Sequence, residues 1–442
     1  QLRDLLTNYG EVFEVWFDGA NGGDGYYGGA KDQRTIDRKN YYNYPHIFKM
    51  LDEIQPNAVV FGDGGPGCRW VGNEKGFAGE TNWAFLRKGE VYPGYPNYHE
   101  LTYGHADGNQ WTAAECDVSI RPGWFYHPEE DDKVKSPDQL VDLYYRSVGH
   151  NATFLLNFPV DRDGLIHPID SANAIAYRNI IQRELSNNLV AGMKARVSSE
   201  RGGQFTAKAL TDNSWDTYWA TPDGVTTGDI EFRFKKAQRM NRIMLQEYIP
   251  LGQRVKKFSV EYLDNKGQWQ TVEQPEETTT IGYKRLLRFA TVVSKGIRVR
   301  ILDSRGPLCI NNIGVYDGGK DAKLTWSKAA ENLKSLPFTI VKKGADEVII
   351  DLGEAKDITT LQYLPDQSEH RKGLVHTYNI STCDANGNVQ KTLKKDEFSN
   401  IQNNPILQTV TFPTVKTRYL KFKAERMVKA GENMNYEALG VN

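Results

Sequence analysis

The sequence predicts a multidomain chain of α/β plus all-β class. A parallel α/β unit over residues 1–190 is followed by two β-sandwich (jelly-roll) domains at 191–318 and 319–442. Three observations carry this. Apolar strands alternate with amphipathic helices in the first part. After about residue 190 the apolar spacing changes to every second residue, and that second part holds an internal repeat.

VFEVWF at 12–17 is an apolar run broken by one acid, as expected of a strand buried on both faces. A helix at 45–55 puts Ile47, Leu51 and Ile54 on one face and stops at Pro56. NAVVFGD at 57–63, WTAAECDVSI at 111–120 and ATFLLNF at 152–158 are further strands. Ser136 is an N-cap with Pro137 at the first helical position, opening a helix that runs to about residue 148. The last helix spans about 171–185. Strand, loop, helix and strand again is the pattern of a parallel sheet. In the second part Phe258, Val260 and Tyr262 alternate, as do Ile297, Val299 and Ile301, which is sandwich spacing. Asp264-Asn265-Lys266-Gly267 is matched by Asp384-Ala385-Asn386-Gly387, 120 positions later. GIRVRIL from Gly296 is matched by TRYLKFK from Thr417, and Ile313-Gly314-Val315 by Leu439-Gly440-Val441. Three landmarks in one order predict two copies of one β domain, joined near Gly318-Gly319.

Charge is balanced, 55 basic residues against 56 acidic, which removes the electrostatic case for a nucleic-acid partner. Mean hydropathy is −0.59 and no apolar run reaches about 18 residues, so no helical membrane span is expected. The opening QLRDLLTNYG lacks the basic-then-apolar pattern of a leader, and a removed leader would leave the compartment open. The four cysteines form no CxxC pair, which argues against zinc. With 9 Trp, 23 Tyr and 40 Gly, the composition suits stacking surfaces on loops, as sugars require.

Asp18, in EVWFDGAN, ends a buried strand. In an α/β barrel the loops after the strands build the site, so Asp18 is either a catalytic carboxylate or a loop cap. Glu74, in RWVGNE, lies on the loop after the next strand. Two acids on neighbouring loops are what glycoside cleavage needs, and the apolar walls of Trp70 and Trp83 would raise a Glu into the acid range. A solvated loop glutamate is the alternative. Glu115-Cys116-Asp117 and the following Trp124, Tyr126 and His127 form a third cluster, in which Trp124 is either a sugar platform or a core residue. Cys116 has no cationic neighbour to make it a nucleophile. Gly23-Asp24-Gly25-Tyr26-Tyr27-Gly28 fits GxGxxG, but no amphipathic helix follows, so a lid or subsite loop is expected rather than a nucleotide site. Asp161-Arg162-Asp163-Gly164 reads as a turn, and the Asn151-Ala152-Thr153 sequon enters a buried strand.

EVWFDGANGG, FGDGGPGCRWVGNE and AECDVSIRPGWFYH, in this order, resemble the α-L-fucosidases of glycoside hydrolase family 29. They are most similar to the subgroup that prefers α1,3- and α1,4-linked fucose on Lewis-type glycans. The resemblance implies a (β/α)8 barrel, of which this chain would hold the C-terminal half, with the strands that carry the family's fucose-binding histidines absent. It implies retaining hydrolysis without a cofactor, with Asp18 as nucleophile and Glu74 as acid/base. Trp124 would lie against fucose, with Trp16, Glu115 and His127 nearby. The two β domains resemble galactose-binding-like (discoidin, factor 5/8 type C) modules. The first carries a loop similar to that fold's calcium loop, with Asp212, Asp216 and Thr217 as ligands of a structural calcium. The resemblance implies fucosylated oligosaccharides or glycoproteins as partners and a secreted or periplasmic location. A non-catalytic carbohydrate-binding protein built on a truncated barrel is the alternative.

Overall fold

The computed structural model describes the chain except residues 19–22, 27–32, 38, 320–332, 369–370, 399–400 and 403–404, with the backbone alone at 23–26 and 33–36. It divides into two compact units, Gln1–Leu324 and Thr325–Asn442.

The first unit opens with a five-stranded sheet in the order β1 (Glu14–Trp16), β2 (Val59–Gly62), β3 (Cys68–Trp70), β4 (Ala113–Ser119) and β5 (Ala152–Asn157). Every pairing in it is parallel. Strand and sheet alternation decides which side chains meet the helices. Leu6 of α1 (Leu2–Thr7), Val15, Phe17 and Val60 pack with Leu51 of α2 (Tyr44–Ile54). Val118, Phe154 and Leu156 pack with Leu140 and Leu143 of α3 (Pro137–Ser147). A capping box starts α3: the Ser136 hydroxyl accepts from the Gln139 N–H, and the Gln139 side chain accepts from the Ser136 N–H at 2.8 Å. The last helix, α4 (Pro168–Glu184), begins three residues before the expected start because His167 caps it with a ring nitrogen.

One feature departs from the sequence reading. β3 lies within the glycine-rich stretch after β2, and only residues 63–67 join these parallel neighbours, without a helical crossover. The link closes because Gly67 donates its N–H to the Val60 carbonyl at 2.9 Å. A Cβ at Gly67 would stand 2.6 Å from the Val60 nitrogen. In line with the sequence reading, the described part of the GxGxxG stretch leads into no helix: the backbone of Gly23–Tyr26 pairs antiparallel with Gln33–Ile36, and the rest of the expected lid lies outside the described residues. Among the described residues of this stretch there is no helix N-terminus for a pyrophosphate.

The α/β part is followed, in the same unit, by an antiparallel sandwich. Its main strands are β6 (Gly228–Glu247), β7 (Val255–Leu263), β8 (Arg285–Ser304) and β9 (Cys309–Tyr316). β6 and β8 are twenty residues long and shift register at Arg233/Gln238 and Met240/Arg242, where bulges bend them around a core that includes Trp219, Phe232, Phe258 and Phe289. The second unit repeats the plan, with β10 (Glu347–Leu364), β11 (Val375–Cys383), β12 (Gln408–Met427) and β13 (Ala438–Val441) around Tyr363, Tyr378, Phe398 and Phe422. The repeat extends to single hydrogen bonds. The Asp264 carboxylate accepts from the N–H groups of Lys266 and Gln268, and the Asp384 carboxylate from those of Asn386 and Asn388.

Among the described residues, no helix is long and apolar enough to cross a membrane.

Candidate active site

The helices cover one face of the parallel sheet. On the other face, alternation gathers Glu14 and Trp16 of β1, Phe61 of β2, Cys68 and Trp70 of β3, Glu115 and Asp117 of β4, and Thr153 of β5. Acids and aromatics on one side of a sheet, with aliphatics on the other, make a polar floor. The Trp16 ring stacks on Phe61 (centroids 4.3 Å apart, planes 3° from parallel) and its Nε1 donates to Glu115 Oε1 at 3.0 Å. Thr153 Oγ1 donates to Glu115 Oε2 at 3.1 Å, so both Glu115 oxygens are held. The donor atoms of Glu14, Cys68 and Glu115 lie within 4.8 Å of one another. Burial, then the Glu115 charge, raises the Glu14 pKa.

Past the carboxyl ends of β1 and β2 stand two aspartates. The Phe17 N–H donates to the Phe61 carbonyl at 3.2 Å, which carries the β1–β2 pairing to the residue before Asp18. Asp18 is exposed there. Asp63, one residue past β2, accepts from the Gly94 N–H at 2.7 Å. Burial raises its pKa, the Gly94 bond opposes this, and the charge of Asp18 adds to it. Asp18 and Asp63 therefore share one electrostatic neighbourhood.

Glu74 sits on the loop after β3. Gly72 turns that loop with φ +73°, and a Cβ there would meet the Tyr98 carbonyl oxygen at 1.9 Å, so only glycine is accepted. Asn73 then braces the turn, donating to the carbonyls of Val71 and Phe77 and accepting from the Lys75 N–H. Glu74 is half-buried, and its Oε2 accepts from Trp124 Nε1 at 2.9 Å. The Trp124 carbonyl is in turn held by Asn157 Nδ2 at the end of β5, at 3.1 Å. Beneath them Asp117 accepts from Trp70 Nε1 at 2.9 Å. Its pKa is pushed up to about 8, first by burial and next by the Glu74 charge, while Trp70 opposes the shift. At neutral pH Asp117 is thus a neutral acid beside an acid whose charge it can sense.

The structure brings Glu74 to Trp124, and Trp16 to Glu115. The His127 side chain is 55% exposed, with Nδ1 3.9 Å from Glu129 Oε1. The cause is Arg121, fully buried, which donates to both Asp170 oxygens at 2.8 Å, to Asp131 at 2.9 Å and to the His127 carbonyl at 3.4 Å. It fixes this stretch by its backbone and leaves the His127 ring in solvent. Sequence reasoning assigned no role to Asp63 or Asp117. The signal was present, since Asp117 lies two residues from Glu115 on one strand and so shares its face.

In the first sandwich the loop of Asp212, Asp216 and Thr217 is closed on itself. Asp212 accepts from the Ser214 N–H at 2.9 Å and from Thr217 Oγ1 at 2.7 Å, while Asp216 enters through its backbone N–H. The carbonyls of Ser214 and Thr217 converge on Asn311 Nδ2, at 2.9 and 2.7 Å. A carboxylate, a hydroxyl and two convergent carbonyls are a hard-oxygen donor set of the kind calcium uses.

The family model described as alpha-L-fucosidase matches residues 1–176, and that of the F5/8 type C domain matches twice, at 194–315 and 311–437. The chain is 37% identical over 323 residues to alpha-L-fucosidase 1 of Arabidopsis thaliana, covering 72% of this chain and 60% of that protein. A rice relative is 38% identical over 322 residues, with 72% of this chain and 58% of that protein covered. The chain thus spans about three fifths of the length of these curated relatives. Among solved structures, a glycoside hydrolase 29 family member from an unknown rumen bacterium is 39% identical. It covers all of this chain and 74% of its own, with a TM-score of 0.62. A Ruminococcus gnavus glycoside hydrolase 29 fucosidase, solved in complex with fucose, is 30% identical over 70% of this chain and 61% of its own, with a TM-score of 0.57. Identity at this level over the full chain, a parallel sheet with acids at its carboxyl ends and two F5/8 type C modules agree: this chain belongs to the glycoside hydrolase 29 α-L-fucosidase family.

Proposed function

We propose that the protein is a retaining α-L-fucosidase that releases terminal fucose from fucosylated oligosaccharides or glycoproteins. Asp18 is the nucleophile and Glu74 the acid/base. One Asp18 oxygen attacks the anomeric carbon while the bond to the leaving sugar breaks, and Glu74 gives its proton to the departing oxygen. Glu74, now ionised, takes a proton from water, whose oxygen displaces Asp18 and frees fucose. The observation that carries this reading is the Glu74 carboxylate, held on the Trp124 indole N–H above Asp117. A carboxyl fixed in position by an indole N–H, with its charge felt by a second buried carboxyl, is a group placed to move a proton. The fucose complex of the Ruminococcus gnavus relative supports the sugar. Trp16 and Trp124 supply the aromatic surface against it, with Glu115 and His127 at the edges of the site.

The finer reading is a preference for α1,3- and α1,4-linked fucose on Lewis-type glycans. Fucose release should be faster from Lewis-type trisaccharides than from α1,2- or α1,6-linked glycans, and the reverse order would remove the subgroup assignment. In the first sandwich, Asp212 and Thr217, with Asp216 beside them, would hold a calcium ion that ties the loop down and takes no part in catalysis. A chelator should then lower the melting temperature by a few degrees. An unchanged value discards the ion.

A further inference from the structure

We infer that the first sandwich is the brace that positions Glu74, with Gln253 and Thr280 as its positioning residues. This rests on Glu74 as the acid/base. The loop that carries Glu74 leaves β3, passes the braced turn at Asn73, and returns through residues 78–84. That return segment is sewn to the sandwich. Gln253 holds it as a strand partner would: its Nε2 donates to the Asn82 carbonyl and its Oε1 accepts from the Ala84 N–H, both at 2.8 Å. Thr280 Oγ1 accepts from the Asn82 N–H at 2.8 Å. Thr81 and Thr279 join hydroxyl to hydroxyl at 2.8 Å, and Arg285 donates to the Glu80 carbonyl at 2.6 Å.

These anchors are out of water, which is what makes them stiff. Gln253 and Thr280 are each 2% exposed. On its other side Asn82 accepts from buried Arg69, whose remaining nitrogens hold the carbonyls of Leu101 and Thr112. The return segment is therefore clamped between the parallel sheet and the sandwich. The sandwich side supplies hydrogen bonds that the loop cannot make for itself. Asn151 shares the junction, donating to the Asn82 carbonyl at 3.2 Å, and is 5% exposed, so its sequon carries no glycan in the folded protein. Acid catalysis needs the proton donor placed to within a fraction of an ångström, and a distant brace acts by preventing drift.

The test uses the full chain with Gln253→Ala and, as a volume-conserving second variant, Thr280→Val. Aryl α-L-fucosides with leaving groups of graded acidity separate positioning from general damage. A good leaving group departs unaided, whereas a poor one needs the Glu74 proton. The expected result is kcat/KM within about twofold of the parent on the most activated substrate, and a loss on the order of 10- to 100-fold on the poorest. A uniform loss across the series, or no loss, overturns the proposal. An inactive parent chain would count against the fucosidase reading alone. Hydrogen–deuterium exchange then decides the brace. Faster exchange at residues 71–84, with 113–119 unchanged, upholds it, and unchanged exchange at 71–84 overturns it.

Discussion

Replacing Glu74 by Ala should lower the release of fucose from a trisaccharide by on the order of 10²- to 10⁴-fold, the range that general acid–base groups contribute. The loss should depend on the substrate. A sugar leaving group is a poor one and needs a proton, so its departure slows fully. A dinitrophenolate leaves without help, so with that fucoside the first step survives and only attack by water is slowed. Azide, which needs no base, should then restore turnover and yield fucosyl azide. Equal losses on both substrates, with no rescue by azide, would move the acid/base role away from the carboxylate that Trp124 holds.

The second large effect is one of stability. Asp117→Asn should raise the melting temperature at pH 7 by several degrees, and the gain should shrink to nothing near pH 4. Burial and the Glu74 charge push the Asp117 carboxyl from its ordinary 3.8 up to about 8. Below pH 4 the carboxyl is protonated in both folded and unfolded chains, and folding is indifferent to it. Between those values the unfolded chain releases the proton and the folded chain keeps it. Stability of the parent therefore falls as pH rises through this window, at a cost on the order of a few kcal/mol by pH 7. Asparagine has no such proton, so the difference grows from pH 4 to 8 and then levels off. A difference in melting temperature that is constant across this range would show that Asp117 is not held protonated. A carboxyl kept at such cost marks a site selected for chemistry rather than for folding.

Much of this was legible from the order of residues. The period of two that makes Phe258, Val260 and Tyr262 a strand also joins Glu14 to Trp16 and Glu115 to Asp117, so one face of the sheet could be drawn before its structure was known. The asparagine- and aspartate-based turns of the repeat were visible because such turns are local: the Asp264 carboxylate bonds no further along the chain than Gln270, and that of Asp384 no further than Asn388. What escaped was set by distant partners. Cys68–Trp70 is a strand because Phe61 and Ala113 pair with its first residue from either side, and nothing within CRW marks it as one. Arg121 and Arg69 look like surface residues in sequence, yet both are fully buried among carboxylates and carbonyls far away in the chain. The position of the His127 ring follows from the first of them. Gln253 and Asn82 lie 171 positions apart, and no local pattern announces that they meet.

The central claim is that Asp18 forms the covalent bond to fucose. Its most direct test is fucose release from a Lewis-type trisaccharide by the parent chain and by its Asp18→Ala variant, with both melting profiles recorded. The account predicts turnover by the parent, a fall of at least about a thousandfold in the variant, and unchanged folding, since Asp18 is exposed. Equal turnover by a folded Asp18→Ala variant would contradict it.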